Sequence, residues 1–296
     1  MNSIKVQIDE DIRELTSPET VDEFTQEQFV LFVKNFLIHG EMTTFQHFEM
    51  LIALLGLEKK QAQKIMDGIV RGGYFPIIEE TCFGFLQKKI ETSRWFIQEL
   101  KTTHHIFYGP RDGFSYMTFG EFISLDIMYS HYLDMKNRER PTDYQFPTNQ
   151  EEREKRTEVL SHFINENKHA LNIFCAAIMR PLWLQYPYGS SKDRRIEFDS
   201  DMIEARALIF EDVPAAEKLA IVHNYALVRS SIVQAYPLAF DTTEGEKKEN
   251  TGSAAENWLE IRSRLAGSVL NLSKVDELLL SDVLSSIKPQ RNDKSQ

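Results

Sequence analysis

The chain has 296 residues, 42% hydrophobic and 27% charged, with a formal net charge of −11. That length suits one large or two ordinary domains, and 20 Phe and 10 Tyr supply the bulk for a real core. The acidic balance excludes nucleic-acid binding by overall charge, because phosphate contacts need clustered Lys and Arg.

Two cysteines, Cys82 and Cys175, form no C-x-x-C pair and sit beside apolar residues. They read as small buried hydrophobes in a reducing compartment. The opening "MNSIKVQIDEDIREL" lacks the apolar segment of a signal peptide. The longest apolar runs, 29–33 and 173–179, fall far short of the roughly 20 residues that cross a bilayer. The expectation is a cytosolic protein without a membrane.

In chain order, residues 1–24 read as a poorly ordered or extended lead-in. Thr25 and Gln28 form a capping box, and Phe29, Val30, Val33, Phe36 and Leu37 follow at helical spacing up to Gly40. The stretch 43–46 opens a second helix, apolar at Phe45, Phe48, Leu51, Ile52 and Leu55 and closed by Gly56. A third helix spans 59–71, with Ala62, Ile65, Met66 and Ile69 inward. Gly72, Gly73 and Pro76 break the pattern. Beyond them "CFGFL" reads as a buried strand and "TSRWFIQEL" as a helix. "YGPRDG" at 108–113 is turn chemistry. Thr118 and Glu121 form another capping box, opening a helix to about Met135. The polar stretch 137–150, with Pro141 and Pro147, reads as a loop. A long helix spans 151–179, acidic at its start, as the helix dipole favours, and stopped by Pro181. Helices at 201–210 and 214–236 follow, the first carrying Ile203, Ala207 and Leu208. "DTTEGEKKENTG" at 241–252 is a linker by composition. Two amphipathic helices, 254–265 and 273–287, close the chain. The fold class is mainly α, a multi-helix bundle with room for a small β element in the middle. The divisions are a lead-in 1–24, a helical subdomain 25–103, a central domain 104–240, a linker 241–253 and C-terminal helices 254–296.

Catalytic signatures are absent: no G-x-x-x-x-G-K-[ST], G-x-G-x-x-G, G-x-S-x-G, H-E-x-x-H or calcium loop occurs. His162 and His169 share a helix face, yet no Cys, Asp or His at i+4 completes a metal site; no metal and no cofactor is expected. The stretch "AIMRPLWLQYPYGSSKDRRIEFD" at 177–199 stands out. It joins a helix stop, an aromatic run and a basic cluster at 192–195. Its carboxylates, Asp193 to Asp201, admit a metal-dependent hydrolase or nuclease. Its basic residues admit a nucleic-acid-binding regulator. The simpler assignment makes Asp199 or Ser200 a helix cap and pairs the other acids with the arginines. Trp, Tyr and Arg together are interface chemistry. The candidate partner-binding residues are therefore Arg180, Trp183, Tyr186, Tyr188, Arg194 and Arg195, and no catalytic residue is assigned.

Three segments carry a family resemblance: "G-E-M-T-T-F-Q-H-F" leading to a helix ending "LLGL", "FYGPRDGFSYMTFGEF", and "MRP" followed by aromatics, "RRIEFD" and "VPAAEKLAIVHNYALV". Together, over about 15–235, they resemble tail proteins of Bacteroidetes-type bacteriophages, of the tail-assembly-chaperone and baseplate-hub-associated kind. The chain departs from that pattern in having Ile178-Met179 before Arg180, and 241–296 lie outside it. The resemblance implies no active-site residues. It implies a non-enzymatic morphogenesis protein, acting as assembly chaperone or minor structural component. Its partners would be other tail proteins such as the tape measure or baseplate components. It would work in the host cytoplasm during assembly, or in the virion tail.

Overall fold

The computed structural model describes residues 2–8, 11–37, 43–57, 59–84, 90–138, 150–183, 193–236 and 254–287. Among these, the chain is mainly α, with eleven α-helices and two small antiparallel strand pairs. It divides into two compact units, Met1–Gln98 with Pro214–Ser231, and Glu99–Val213 with Ile232–Gln296. The division differs from the five-part layout expected above. The first boundary falls at 98, residues 214–231 return to the first unit, and the C-terminal helices belong to the second. Most of the loop at 137–150 and all of the linker at 241–253 lie outside the described residues.

The first unit opens on a hairpin, the extended of the two alternatives expected for the lead-in. Strands β1 (Asn2–Ile8) and β2 (Asp11–Ser17) pair antiparallel from Asn2↔Ser17 to Ile8↔Asp11. The period-2 alternation of "IKVQI" is the strand signal that the acidic composition masked. α1 (Gln26–Phe32) starts on Thr25 with both halves of its capping box formed, then widens into a π-helical turn at Val33–Leu37. α2 (Thr44–Leu54) has the same box at Thr43, and Gly56 takes a φ of 63° to leave it. Phe45 was expected inward but is 76% exposed. In α3 (Lys59–Arg71), Ala62, Ile65, Met66 and Ile69 are all buried, as their spacing predicts. α4 (Phe75–Phe83) carries Pro76 in its first turn, where the missing N–H costs no helical bond. Cys82 and Phe83 thus end a helix and begin no strand.

The stretch 90–98 forms no helix either. Asn224, on a late helix Ala215–Ala235 (α8), supplies what a helix would have supplied. Its Oδ1 accepts from the Phe96 N–H at 2.6 Å, and its Nδ2 donates to the Arg94 carbonyl at 2.9 Å. Trp95 donates its indole N–H to the Ile97 carbonyl at 2.8 Å. With its backbone satisfied, the segment buries Trp95, Phe96 and Ile97. Phe96 stacks on Phe29 at 4.4 Å between ring centroids.

The second unit begins with strands β3 (Glu99–Lys101) and β4 (Ile106–Tyr108), the small β element expected mid-chain. Single bridges extend this pairing from Tyr108 to Arg180 and from Leu182 to Arg195. α5 (Phe119–Asn137) packs against α6 (Gln150–Ile178) and α9 (Ala254–Ala266). α7 (Ile203–Ile209) packs on α6 after a short turn capped by Asp199, whose carboxylate accepts from the Asp201 N–H at 2.9 Å. Leu208, expected inward, is 65% exposed on α7.

The core of this unit gathers Phe114, Phe119, Phe122, Phe174 and Trp258. Trp258 meets Phe119 and Phe122 edge to face and donates to Asp126 at 2.8 Å. The helix expected over 273–287 is split into α10 (Leu272–Asp276) and α11 (Leu280–Ser286). The break has a backbone cause. The Leu278 carbonyl accepts from Phe119 N–H at 2.8 Å, and the Leu280 N–H donates to the Met117 carbonyl at 2.9 Å. Residues 278–280 thereby satisfy one of the orphan N–H groups at the start of α5. Gly120 permits the approach: a Cβ there would stand 2.7 Å from the Asp276 Cβ.

Candidate interaction groove on a buried ion-pair cluster

Pro181 stops α6 just where its last residues are fully buried, so Arg180 leaves the helix inside the molecule. Its backbone pairs both ways with Tyr108, at 2.7 and 3.1 Å. Arg195 is set by the next strand-like pairing, in which Trp183 N–H donates to the Arg194 carbonyl and Ile196 N–H to the Pro181 carbonyl. Both guanidinium groups therefore arrive at one place. The first turn of α5 supplies the acid that receives them.

That acid is Glu121. Thr118 caps α5 by accepting from Glu121 N–H at 3.2 Å, but the reciprocal half of the capping box is not formed. The Glu121 carboxylate turns inward instead, and its Oε1 accepts from Arg180 Nη2 at 2.8 Å and from Arg195 Nη2 at 2.9 Å. Asp193 grips Arg195 from the other side, at 3.1 and 3.0 Å to Nε and 2.6 Å to Nη2, and Arg195 Nη1 reaches the Ile178 carbonyl at 2.8 Å. Glu121, Arg180 and Arg195 are buried, and Asp193 is nearly so.

The two arginines are not equally satisfied. Burial pulls Arg195 toward losing its proton, but Glu121 and Asp193 outweigh it and leave the group above its ordinary value. Burial wins at Arg180, lowering it to about 10, with Arg195 adding repulsion against the pull of Glu121 and Asp193. Among the described residues, Arg180 Nε and Nη1 have no hydrogen-bond partner. The ring of Phe198 lies over the guanidinium at 5.8 Å. Burial also pushes Asp193 up, but the hydrogen bonds and charge of Arg195 more than reverse it, and its pKa lies below the ordinary carboxylate value.

This cluster lines a cavity of about 1300 Å³. Trp183, Ile196, Phe198, Tyr116 and Leu279 line it as well, together with Glu197, Asp276 and Glu277. Trp183 is 38% exposed. Asp276 is taken by Arg262, whose Nε approaches to 2.6 Å.

The six candidate partner-binding residues thus part company. Arg180 and Arg195 are interior, spend their charge on Glu121 and Asp193, and line the cavity. Arg180 closes the end of α6 against a carboxylate. Trp183 is at the surface. Arg194 is half-buried and lies over the Tyr108 ring at 4.7 Å. Tyr186 and Tyr188 lie outside the described residues. Glu121 was missed as a site residue because the pattern Thr118-x-x-Glu121 reads first as a cap.

The acids proposed for metal chemistry do not converge. Asp193 holds Arg195 and Asp199 caps the turn before α7. Among the described residues, no group of three His, Cys, Asp or Glu side chains is placed to hold a metal ion. His162 and His169 stand instead beside Glu166 at 3.3 Å and Glu204 at 3.5 Å. Cys82 and Cys175 are both buried, and burial pushes the Cys82 thiol up to about 11, where it is unreactive. No helix among the described residues is long and apolar enough to cross a membrane. No family model matches the chain, and no curated protein or solved structure matches it either.

Proposed function

We propose that the chain is a non-enzymatic protein-binding component of bacteriophage tail assembly, acting as an assembly chaperone or a minor structural part. The observation that carries the binding role is the groove itself. It is lined by an ion-pair cluster whose acids and bases are already engaged with one another, and by the partly exposed Trp183 and Leu279. Such a lining holds a shape without presenting a poised nucleophile or base, and an exposed Trp beside an apolar wall is typical of a binding hot spot. The setting in a phage tail rests on the three sequence segments quoted above.

The rival readings draw less support. A hydrolase needs carboxylates that converge, and in the run from Asp193 to Asp201 Asp193 is an ion-pair partner of Arg195 and Asp199 a cap, which leaves Glu197 without them. A nucleic-acid reader needs a row of available cations. In the basic run Arg195 is buried and Arg194 covers Tyr108.

The test is co-purification of the full chain with phage tail-tube, tape-measure and baseplate proteins, using wild type and Trp183→Ala. The reading expects a specific tail partner whose recovery falls in the variant. Peptide mass spectrometry of purified virions then separates the two roles: a chaperone is absent from the particle and a structural part is present. Failure to recover any tail protein with the wild-type chain would sink the proposal.

A further inference from the structure

The groove's free groups differ in kind from its engaged ones. Glu121, Asp193 and Asp276 are neutralised by Arg180, Arg195 and Arg262. Glu197 and Glu277, both exposed on the cavity wall, have no ion-pair or hydrogen-bond partner among the described residues. Trp183 makes no ring or cation contact there, so its indole face is open. Tyr116 is already covered by Arg111 at 5.3 Å, and Phe198 by Arg180. What remains available is one indole ring and two carboxylates, the combination that attracts a cation by its quadrupole and by charge.

A second, independent observation narrows the ligand. Arg180 is 2% exposed and lines the cavity, yet its Nε and Nη1 donors are unpartnered. Each such donor is costly to leave unmade. A free cation brings no acceptor for them. A peptide does, in its backbone carbonyls, which reach these donors once the Phe198 ring turns aside. Carbonyl oxygens also avoid the repulsion that a carboxylate would meet from Glu197 and Glu277.

From this juxtaposition we infer that the groove takes a basic peptide segment of a partner protein. A Lys or Arg side chain lies against Trp183 between Glu197 and Glu277, and the adjoining backbone accepts from Arg180. The inference rests on the protein-binding reading above and names the chemistry of the partner at the same groove.

The experiment is selection of a random 12-residue peptide library on the immobilised full chain. Wild type is compared with the double variant Glu197→Lys/Glu277→Lys. Both positions are exposed, and a Glu197→Gln/Glu277→Gln pair serves if the reversed variant loses its circular-dichroism signature. Wild type is expected to enrich peptides bearing Lys or Arg beside an apolar residue. The best of them, made synthetically, should bind at least about tenfold more weakly to the variant. A version with Lys exchanged for Glu should recover binding to the reversed variant, and added salt should weaken the wild-type pair. Enrichment of neutral or acidic peptides, or affinity indifferent to the charge reversal, overturns the basic class while leaving a protein-binding groove. No enrichment at all, together with a tail partner recovered independently of Trp183, overturns the groove as the binding surface and leaves the assembly role standing elsewhere.

Discussion

Arg180 and Arg195 donate to the same oxygen of Glu121, at 2.8 and 2.9 Å, inside a unit where all three side chains are buried. Two cations on one acceptor hold each other's neighbourhood together only while the acid is charged. Replacing a buried pair wholesale by apolar groups is often harmless, but removing one member strands the others. Glu121→Gln keeps the shape and removes the charge, leaving Arg180 and Arg195 with Asp193 alone. We expect a loss of about 3–5 kcal/mol in urea or thermal unfolding. A loss under about 1 kcal/mol would mean that the cluster is better solvated than its burial implies.

The pH dependence of this unit follows from Asp193. Its pKa in the folded chain is lowered by Arg195, so the folded state holds the ionised form more tightly than the unfolded chain does. Its contribution is therefore complete above the ordinary carboxylate range, near pH 4, and is lost as pH falls toward the lowered folded value. Stability should decline below about pH 4 with a steeper slope in wild type than in Asp193→Asn. Equal slopes from acid titration of both proteins, followed by near-ultraviolet circular dichroism, would count against the pairing.

Trp258 ties the C-terminal helices to α5, through its edge-to-face contacts with Phe119 and Phe122 and its bond to Asp126. Trp258→Phe retains most of the bulk and removes one hydrogen bond to the buried Asp126 carboxylate, and should cost about 1–3 kcal/mol. Trp258→Ala opens a cavity as well and should cost about 3–5 kcal/mol. Hydrogen exchange at Phe119 should quicken with either change, since its N–H depends on the Leu278 carbonyl.

Local signals in the sequence carried the helix starts well. Thr25 and Thr43 form the boxes that their spacing predicts, and Gly56 exits its helix with a positive φ. What stayed hidden were the places where a distant residue overrules a local pattern. "TSRWFIQEL" has helical spacing, yet Asn224, some 130 positions away, meets its backbone and holds it open. The last helix pattern is unbroken in sequence, but the start of α5 takes its backbone at 278–280. Glu121 shows the same limit inside one motif. Its spacing from Thr118 is that of a cap, and only the arrival of Arg180 and Arg195 turns the carboxylate away. The burial of Arg180 and Arg195 was not legible, because a charged run normally reads as solvated.

Asn224 gives a clean test of that long-range control. Its side chain serves as acceptor to Phe96 and donor to Arg94 while fully buried. Asn224→Ala leaves a buried N–H and C=O unmet and should cost about 2–4 kcal/mol. Asn224→Asp keeps the acceptor but loses the donor and adds a buried charge, so it should be no better tolerated than Ala. If Ala at 224 leaves the unfolding midpoint unchanged, the segment 94–97 is held by the packing of Trp95 and Phe96 alone.

Trp183 should behave in the opposite way. It is more than a third exposed, it has no ring partner among the described residues, and its backbone, not its side chain, pairs with Arg194. Trp183→Ala should therefore change stability by no more than about 0.5 kcal/mol, the range of ordinary surface changes. The same substitution should weaken partner binding by about 2 kcal/mol or more, as truncation of a central aromatic anchor does. Measuring both on one preparation separates a binding residue from a packing residue. A large loss of stability would make Trp183 part of the wall that supports the ion-pair cluster, and the docking surface would then have to lie away from Arg180.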